Sequence, residues 1–419
     1  MNFKLNKRSR FAGFAALAAM IIFSPSCKKK ENNGPNGPSG NNQATELSCD
    51  FFHEDRVLVD DPEAPVDYII SCEAQVKGKL TVEPGVVIAF KENASLFFQI
   101  SSSIKMEGTQ SKPIVLTGET PEKGLWRGVA IESTKPSNSM KYVTIEYAGS
   151  VSTSHSGGMY PAGLQVIGNG DVSMDHCTIQ HCKDNGLYWT SSKYISITNS
   201  TFTNNDVPVK TWSSNPMKII NNTNSYTGNV KDYVHLKHPS VNDEGNTITW
   251  EKIDVPYYVT TGGYNRFDID NAHLIIEPGV DMIMATAGTH MRIRPDGSMK
   301  AVGTANDPII IRGENDVPAA WGYIFFQSGS AMNEIGHAEI KNAGNSMSNV
   351  QAATQIHYDS YLNIHDVNFT NNAGYAVGML FTAAMPWPVV TWENLTTDNN
   401  KLFCKGTNGP ELQDPNDPN

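Results

Sequence analysis

The chain has 419 residues, 39% hydrophobic and 18% charged, with ordinary Gly (34) and Pro (23) usage, which excludes collagen and low-complexity disorder. It carries 43 acidic against 32 basic side chains, a net charge of −11 that argues against nucleic acid as a partner. The length suffices to bury a sizeable core, and 39 Asn point to many turns in preference to long helices.

In chain order, residues 1–26 have the organisation of a lipoprotein signal peptide. Lys4, Lys7, Arg8 and Arg10 precede the apolar run Phe11–Phe23, which is too short to span a bilayer and has the length of a signal-peptide core. The run ends at Ser24-Pro25-Ser26-Cys27, which resembles a bacterial lipobox. The resemblance implies that Cys27 becomes the lipidated first residue of the mature chain, anchored to the outer membrane and exposed at the cell surface. Residues 27–46 are rich in Asn, Gly, Pro and Ser and read as a flexible tether.

Export permits disulfides. Cys49 and Cys72 flank the first apolar segment and form the candidate pair. Cys177 and Cys182 lie in strand-like sequence where repeated units carry Ser200 with Asn205 and Val367 with Asn372, so they read as packing residues. With one close pair only, no metal site is expected.

Internal repetition defines the architecture. Leu80-Thr81-Val82-Glu83-Pro84-Gly85-Val86 returns as Leu274-Ile275-Ile276-Glu277-Pro278-Gly279-Val280. Gly108-Thr109, Trp126, Ile145 and Ala148-Gly149 return as Gly303-Thr304, Trp321, Ile340 and Ala343-Gly344. Two copies follow, residues 47–250 and 251–408, with a disordered tail at 409–419. Within a copy, Met174-x-x-Cys177-x-Ile179-x-x-Cys182 is echoed one unit later by Ile197-x-x-Ser200-x-Phe202-x-x-Asn205, and again by Ile364-x-x-Val367-x-Phe369-x-x-Asn372. Short strands with Asn or Gly corners cannot bury their own apolar faces, so successive units must stack. Residues 50–70 and 393–405 are the expected end caps. The fold class is all-β, a right-handed parallel β-helix solenoid built from two tandem repeats.

These motifs resemble the right-handed parallel β-helix repeat family, the pectate-lyase-like superfold, as found in surface lipoproteins. The superfold hosts lyases, hydrolases, adhesins and inert scaffolds, so function has to be read from individual sites. Asp175-His176-Cys177 to Asp184-Asn185-Gly186-Leu187 resembles a pectate-lyase coil whose carboxylates hold calcium. Only Asp184 stands at a ligand position, and the family's R-x-P-x-x-R segment is missing. Calcium is therefore expected only under a lyase reading, and otherwise no cofactor.

Three further groups draw attention. If Ile131, Ile145 and Ile179 share an inward column, Glu132 and Glu146 stack beside it about 5 Å apart, the spacing that retaining glycoside hydrolysis uses. The alternative is an ordinary surface column neutralised by Lys141 or Arg127. The insertion Ser150–Gly163, with His155 and Tyr160, projects from the scaffold. The aromatics Tyr188, Trp189, Trp212, Tyr257, Tyr258, Tyr264, Trp387 and Trp392 read as coil-end residues suited to sugar rings, whereas Trp126 and Trp321 read as structural anchors. The expected function is a non-catalytic binding module for a glycan or other surface polymer. The alternatives are a polysaccharide lyase or glycoside hydrolase using these carboxylates, and a protein-binding adhesin or scaffold.

Overall fold

A computed structural model describes residues 43–152, 160–190, 194–212, 216, 219–345, 350–380, 386–398 and 400–404. Most of its strands are short because the sequence alternates over only a few residues before an Asn, Gly or His interrupts it. Lys79–Val82 buries Leu80 and Val82 and leaves Lys79 exposed, and Ile114–Gly118 alternates in the same way. Such half-buried ribbons gain stability only by stacking in parallel, one turn on the next.

The chain winds as a right-handed parallel β-helix of about 13 turns with three faces. In the first copy, face A holds Val87–Phe90, Ile114–Gly118, Val143–Glu146, Thr178–Gln180 and Thr201–Thr203. Face B holds Lys79–Val82, Ser103–Glu107, Ser139–Lys141, Asp171–Asp175 and Tyr194–Thr198. Face C holds Ser95–Phe98, Gly128–Ile131, Ala162–Val166, Asn185–Thr190 and Val207–Trp212. Registry keeps like on like: Ile88, Leu116, Ile145, Ile179 and Phe202 form one inward column, and Val82, Met106, Met140, Met174 and Ile197 another. Each such side chain contributes roughly 1.5–3 kcal/mol by leaving water.

The corners are built from residues in the left-handed region. Tyr142, His176 and Asn199 stack at one corner and Tyr147, His181 and Asn204 at the next, all with positive φ. The rings of Tyr142 and His176 stack at 4.7 Å and those of Tyr147 and His181 at 5.3 Å. Inside the corners, buried side chains cap backbone groups of the neighbouring rung. Asn205 is fully buried; its Oδ1 accepts from the Cys182 N–H at 2.9 Å and its Nδ2 donates to the Ile179 carbonyl at 3.0 Å. Asn205→Ala would leave both backbone groups buried without partners. We expect a loss of about 2–3 kcal/mol in urea unfolding.

The two sequence copies are one face out of step. Asp281–Met284 is the repeat counterpart of Val87–Phe90, a face A strand. Yet face C runs on from Val209 through Val234 and Tyr257 to Met282, so Asp281–Met284 prolongs face C. The stacking is uninterrupted across residues 250 and 251, where Thr247–Trp250 pairs with His273–Ile276. The described residues all fall in one compact unit.

At the N-terminal end, Cys49–His53 forms a 3-10 turn whose Phe52 packs into the core, and Cys49 is disulfide-bonded to Cys72. The rest of the cap expected at 50–70 is already ladder, with Arg56–Leu58 paired to Lys79–Val82 and Tyr68–Ile70 to Val87–Phe90. At the other end the cap expected at 393–405 is instead a further rung. Thr396–Asp398 pairs with the second half of Tyr361–Thr370, and Lys401–Cys404 pairs with Tyr375–Leu380. The apolar periodicity there is weak, but the strand backbone still finds its ladder.

Candidate functional site

The outward column of face C carries a continuous run of polar, cationic and aromatic side chains. Gln165, Tyr188, Lys210, His235 and Tyr258 are successive Cα partners along it. Tyr160, from the end of the Ser150–Gly163 insertion, lies edge-on to Tyr188 at 5.3 Å. The Lys210 ammonium sits 3.5 Å from the Tyr160 ring centroid, and the Lys237 ammonium donates to the Tyr160 hydroxyl at 2.6 Å. Lys237 also lies 4.7 Å from the ring of Trp212, which is 40% exposed. Tyr233 stacks on Tyr258 at 4.2 Å, and the Tyr258 hydroxyl donates to Glu314 at 2.8 Å.

Burial sets the charge states here. It lowers the Lys210 ammonium below the usual lysine value, with Tyr160 and Asp184 pulling the other way. Burial, reinforced by Lys210, Lys237 and Lys231, brings His235 down to about 3, so its imidazole is neutral at physiological pH. Its Nε2 lies 2.8 Å from the Thr260 hydroxyl. Burial also raises Asp184, which Lys210 and Lys231 partly offset. Beneath Tyr160, the amide atoms of Gln165 and the hydroxyl of Tyr188 are buried without a hydrogen-bond partner. Such groups cost roughly 1–3 kcal/mol each. The result is a half-buried, cationic and aromatic surface on a rigid sheet.

Several sequence expectations change. Glu132 and Glu146 do not stack. Ile131 pairs with Phe98 and Val166 on face C, whereas Ile145 pairs with Leu116 and Ile179 on face A. The two carboxylates therefore leave the coil on different faces, and the two-carboxylate arrangement of glycoside hydrolysis does not form. Glu146 accepts from Thr117 at 3.0 Å and from Gln180 at 2.8 Å, its neighbours in the face A column. The expected neutralising partners are engaged elsewhere, Lys141 with Asp175 and Arg127 with Glu73. Burial would raise Asp175, but hydrogen bonds from Asn199, Lys141 and His176 outweigh it and hold the carboxyl down at about 2.

Trp189 is not an exposed coil-end residue: it alternates inward and lies wholly in the core. Tyr188 points outward but is fully covered, so it forms the floor beneath Tyr160 and no free sugar platform. Tyr257 is likewise buried. Trp387 and Trp392 are exposed near the far end. His155 lies outside the described residues. Trp126 and Trp321 are fully buried, and their indole N–H groups donate to the carbonyls of Glu146 and Lys341, at 2.9 and 2.6 Å. The thiols of Cys177 and Cys182 are buried and pushed up to about 11 and about 12, which leaves them protonated. Lys210, His235 and Lys237 were missed as a group. The one-coil spacing from Gln165 through Tyr188, Lys210 and His235 to Tyr258 is the signal that could have found them.

The fold is a right-handed parallel β-helix that carries a half-buried cationic and aromatic surface on one face. Residues 128–249, which hold most of that face, match the family described as right handed beta helix region. No curated protein and no solved structure matches the chain.

Proposed function

We propose that this protein is a lipid-anchored envelope protein whose face C binds an acidic glycan. The Tyr160, Lys210, Trp212 and Lys237 cluster carries the reading. Two ammonium groups suit the carboxylates or sulfates of an acidic polymer, and flat rings beside them suit the C–H faces of its sugars. Among the described residues no carboxylate lies within ion-pair distance of Lys210 or Lys237, although the chain as a whole is acidic. A flat parallel sheet also offers an extended surface for a chain-like ligand.

The address rests on the Ser24–Cys27 pattern and the tether after it. The Cys49–Cys72 bond fits an oxidising compartment. No helix among the described residues is long and apolar enough to cross a membrane. The test is affinity electrophoresis in gels containing polygalacturonate, alginate or a neutral glucan. Retardation by an acidic polymer, weakened at least tenfold by Lys210→Ala with Lys237→Ala, is the expected result. Equal migration in all gels overturns the glycan reading, and shortening of the polymer replaces it with an enzyme.

A further inference from the structure

We propose a zinc site at the corner formed by His337, His365 and Asp366, in the second copy and on a different part of the coil from the face C cluster. Their ligand atoms all lie within 4.8 Å of one another, and the three side chains are partly exposed. His365 Nδ1 is 2.9 Å and His337 Nε2 is 3.7 Å from Asp366 Oδ2. Zinc bonds of roughly 2.0–2.2 Å in a tetrahedron bring ligand atoms about 3.3 Å apart, between those two distances. Two imidazoles and a carboxylate, with one position left for water or a ligand group, suit zinc better than calcium or magnesium.

The surroundings supply a second, independent argument. Metal-binding imidazoles ordinarily donate their other N–H to a carboxylate. His365 Nε2 lies 3.3 Å from Glu334 Oε1, and Lys300 holds the other Glu334 oxygen at 2.9 Å. Asn394 donates to Asp366 Oδ1 at 3.0 Å, which leaves Oδ2 turned to the two histidines. Gly336 makes the arrangement sterically feasible. A Cβ there would fall 2.4 Å from the His365 ring, so only glycine allows the imidazole to lie back over the preceding rung.

The first copy shows what the repeat-equivalent corner looks like without these ligands. By the repeat, Lys141 and Tyr142 stand where Gly336 and His337 stand, and Asp175 and His176 where His365 and Asp366 stand. There Lys141 neutralises Asp175 at 3.2 Å and Tyr142 stacks on His176. In the second copy the lysine is gone and the tyrosine has become a second imidazole. A metal there would tie together the two successive rungs that carry His337 and Asp366, which are in register.

Calorimetric titration of the chelator-treated protein with zinc alone tests this. One equivalent should bind and raise the melting temperature. His337→Ala and His365→Ala should each weaken binding at least tenfold, with circular dichroism unchanged. Gly336→Ala should weaken it too, whereas His176→Ala should leave it unaltered. No saturable uptake, or undiminished uptake by the His337→Ala, His365→Ala double variant, overturns the site.

Discussion

Trp126→Ala is expected to lower the stability of the surrounding turns by about 3–5 kcal/mol. The indole is fully buried, stacks on Phe90 at 4.0 Å and donates to the Glu146 carbonyl in the turn beyond. Its removal opens a cavity between two rungs and strands a backbone acceptor. Because each turn touches only its neighbours, the loss should be regional and not global. Hydrogen exchange by mass spectrometry should show deprotection centred on residues 87–147, with the turns beyond 260 little altered. Trp321→Ala should act in the same way at its own position, since its N–H reaches the Lys341 carbonyl. Uniform deprotection of the whole solenoid would contradict nearest-neighbour stacking, and no change would contradict the anchoring role.

The second large effect is expected at the N-terminal end. The Cys49–Cys72 bond closes a loop of 23 residues, and chain-entropy arguments give about 3 kcal/mol for a loop of that length. It holds the turn whose Phe52 covers the first coil, and the Phe52 carbonyl accepts from Lys77 N–H at 3.0 Å. The Cys49→Ser, Cys72→Ser variant should fray residues 45–90 while leaving the second copy protected. Exposing that edge should also promote self-association, visible by light scattering. A variant as protected and as monodisperse as the parent would show that packing of Phe52 alone secures the end.

Much of the fold was legible because a solenoid is close to one-dimensional. The repeat of L-x-x-E-P-G-V, the paired Trp126 and Trp321, and the coil frame shared by Cys177, Ser200 and Val367 each follow from contacts between successive turns. Asn205 and Asn372 could be read as corner residues because their role is local: each caps a backbone N–H of the neighbouring rung, that of Cys182 and of Ala343. The face C site was legible only in part. Tyr160 and Trp212 stand out as residue types, but their lysine partners do not, since a lysine in a polar strand looks like any solvated charge.

By itself the sequence determined the class of fold and the anchoring tryptophans, both of which depend on composition or on neighbours one turn apart. Tertiary structure decided the rest. Whether Ile131 and Ile145 share a face depends on how many corners the chain turns between them, and the alternation of apolar residues is blind to that count. The one-face slip between the copies arises in the same way, in the joining segment around 203–260. It was also the winding that brought Lys210 and Lys237 against Tyr160, and His337 against Asp366. In a coil, residues a full turn apart in sequence come within hydrogen-bond reach, and the length of every intervening loop sets which ones meet.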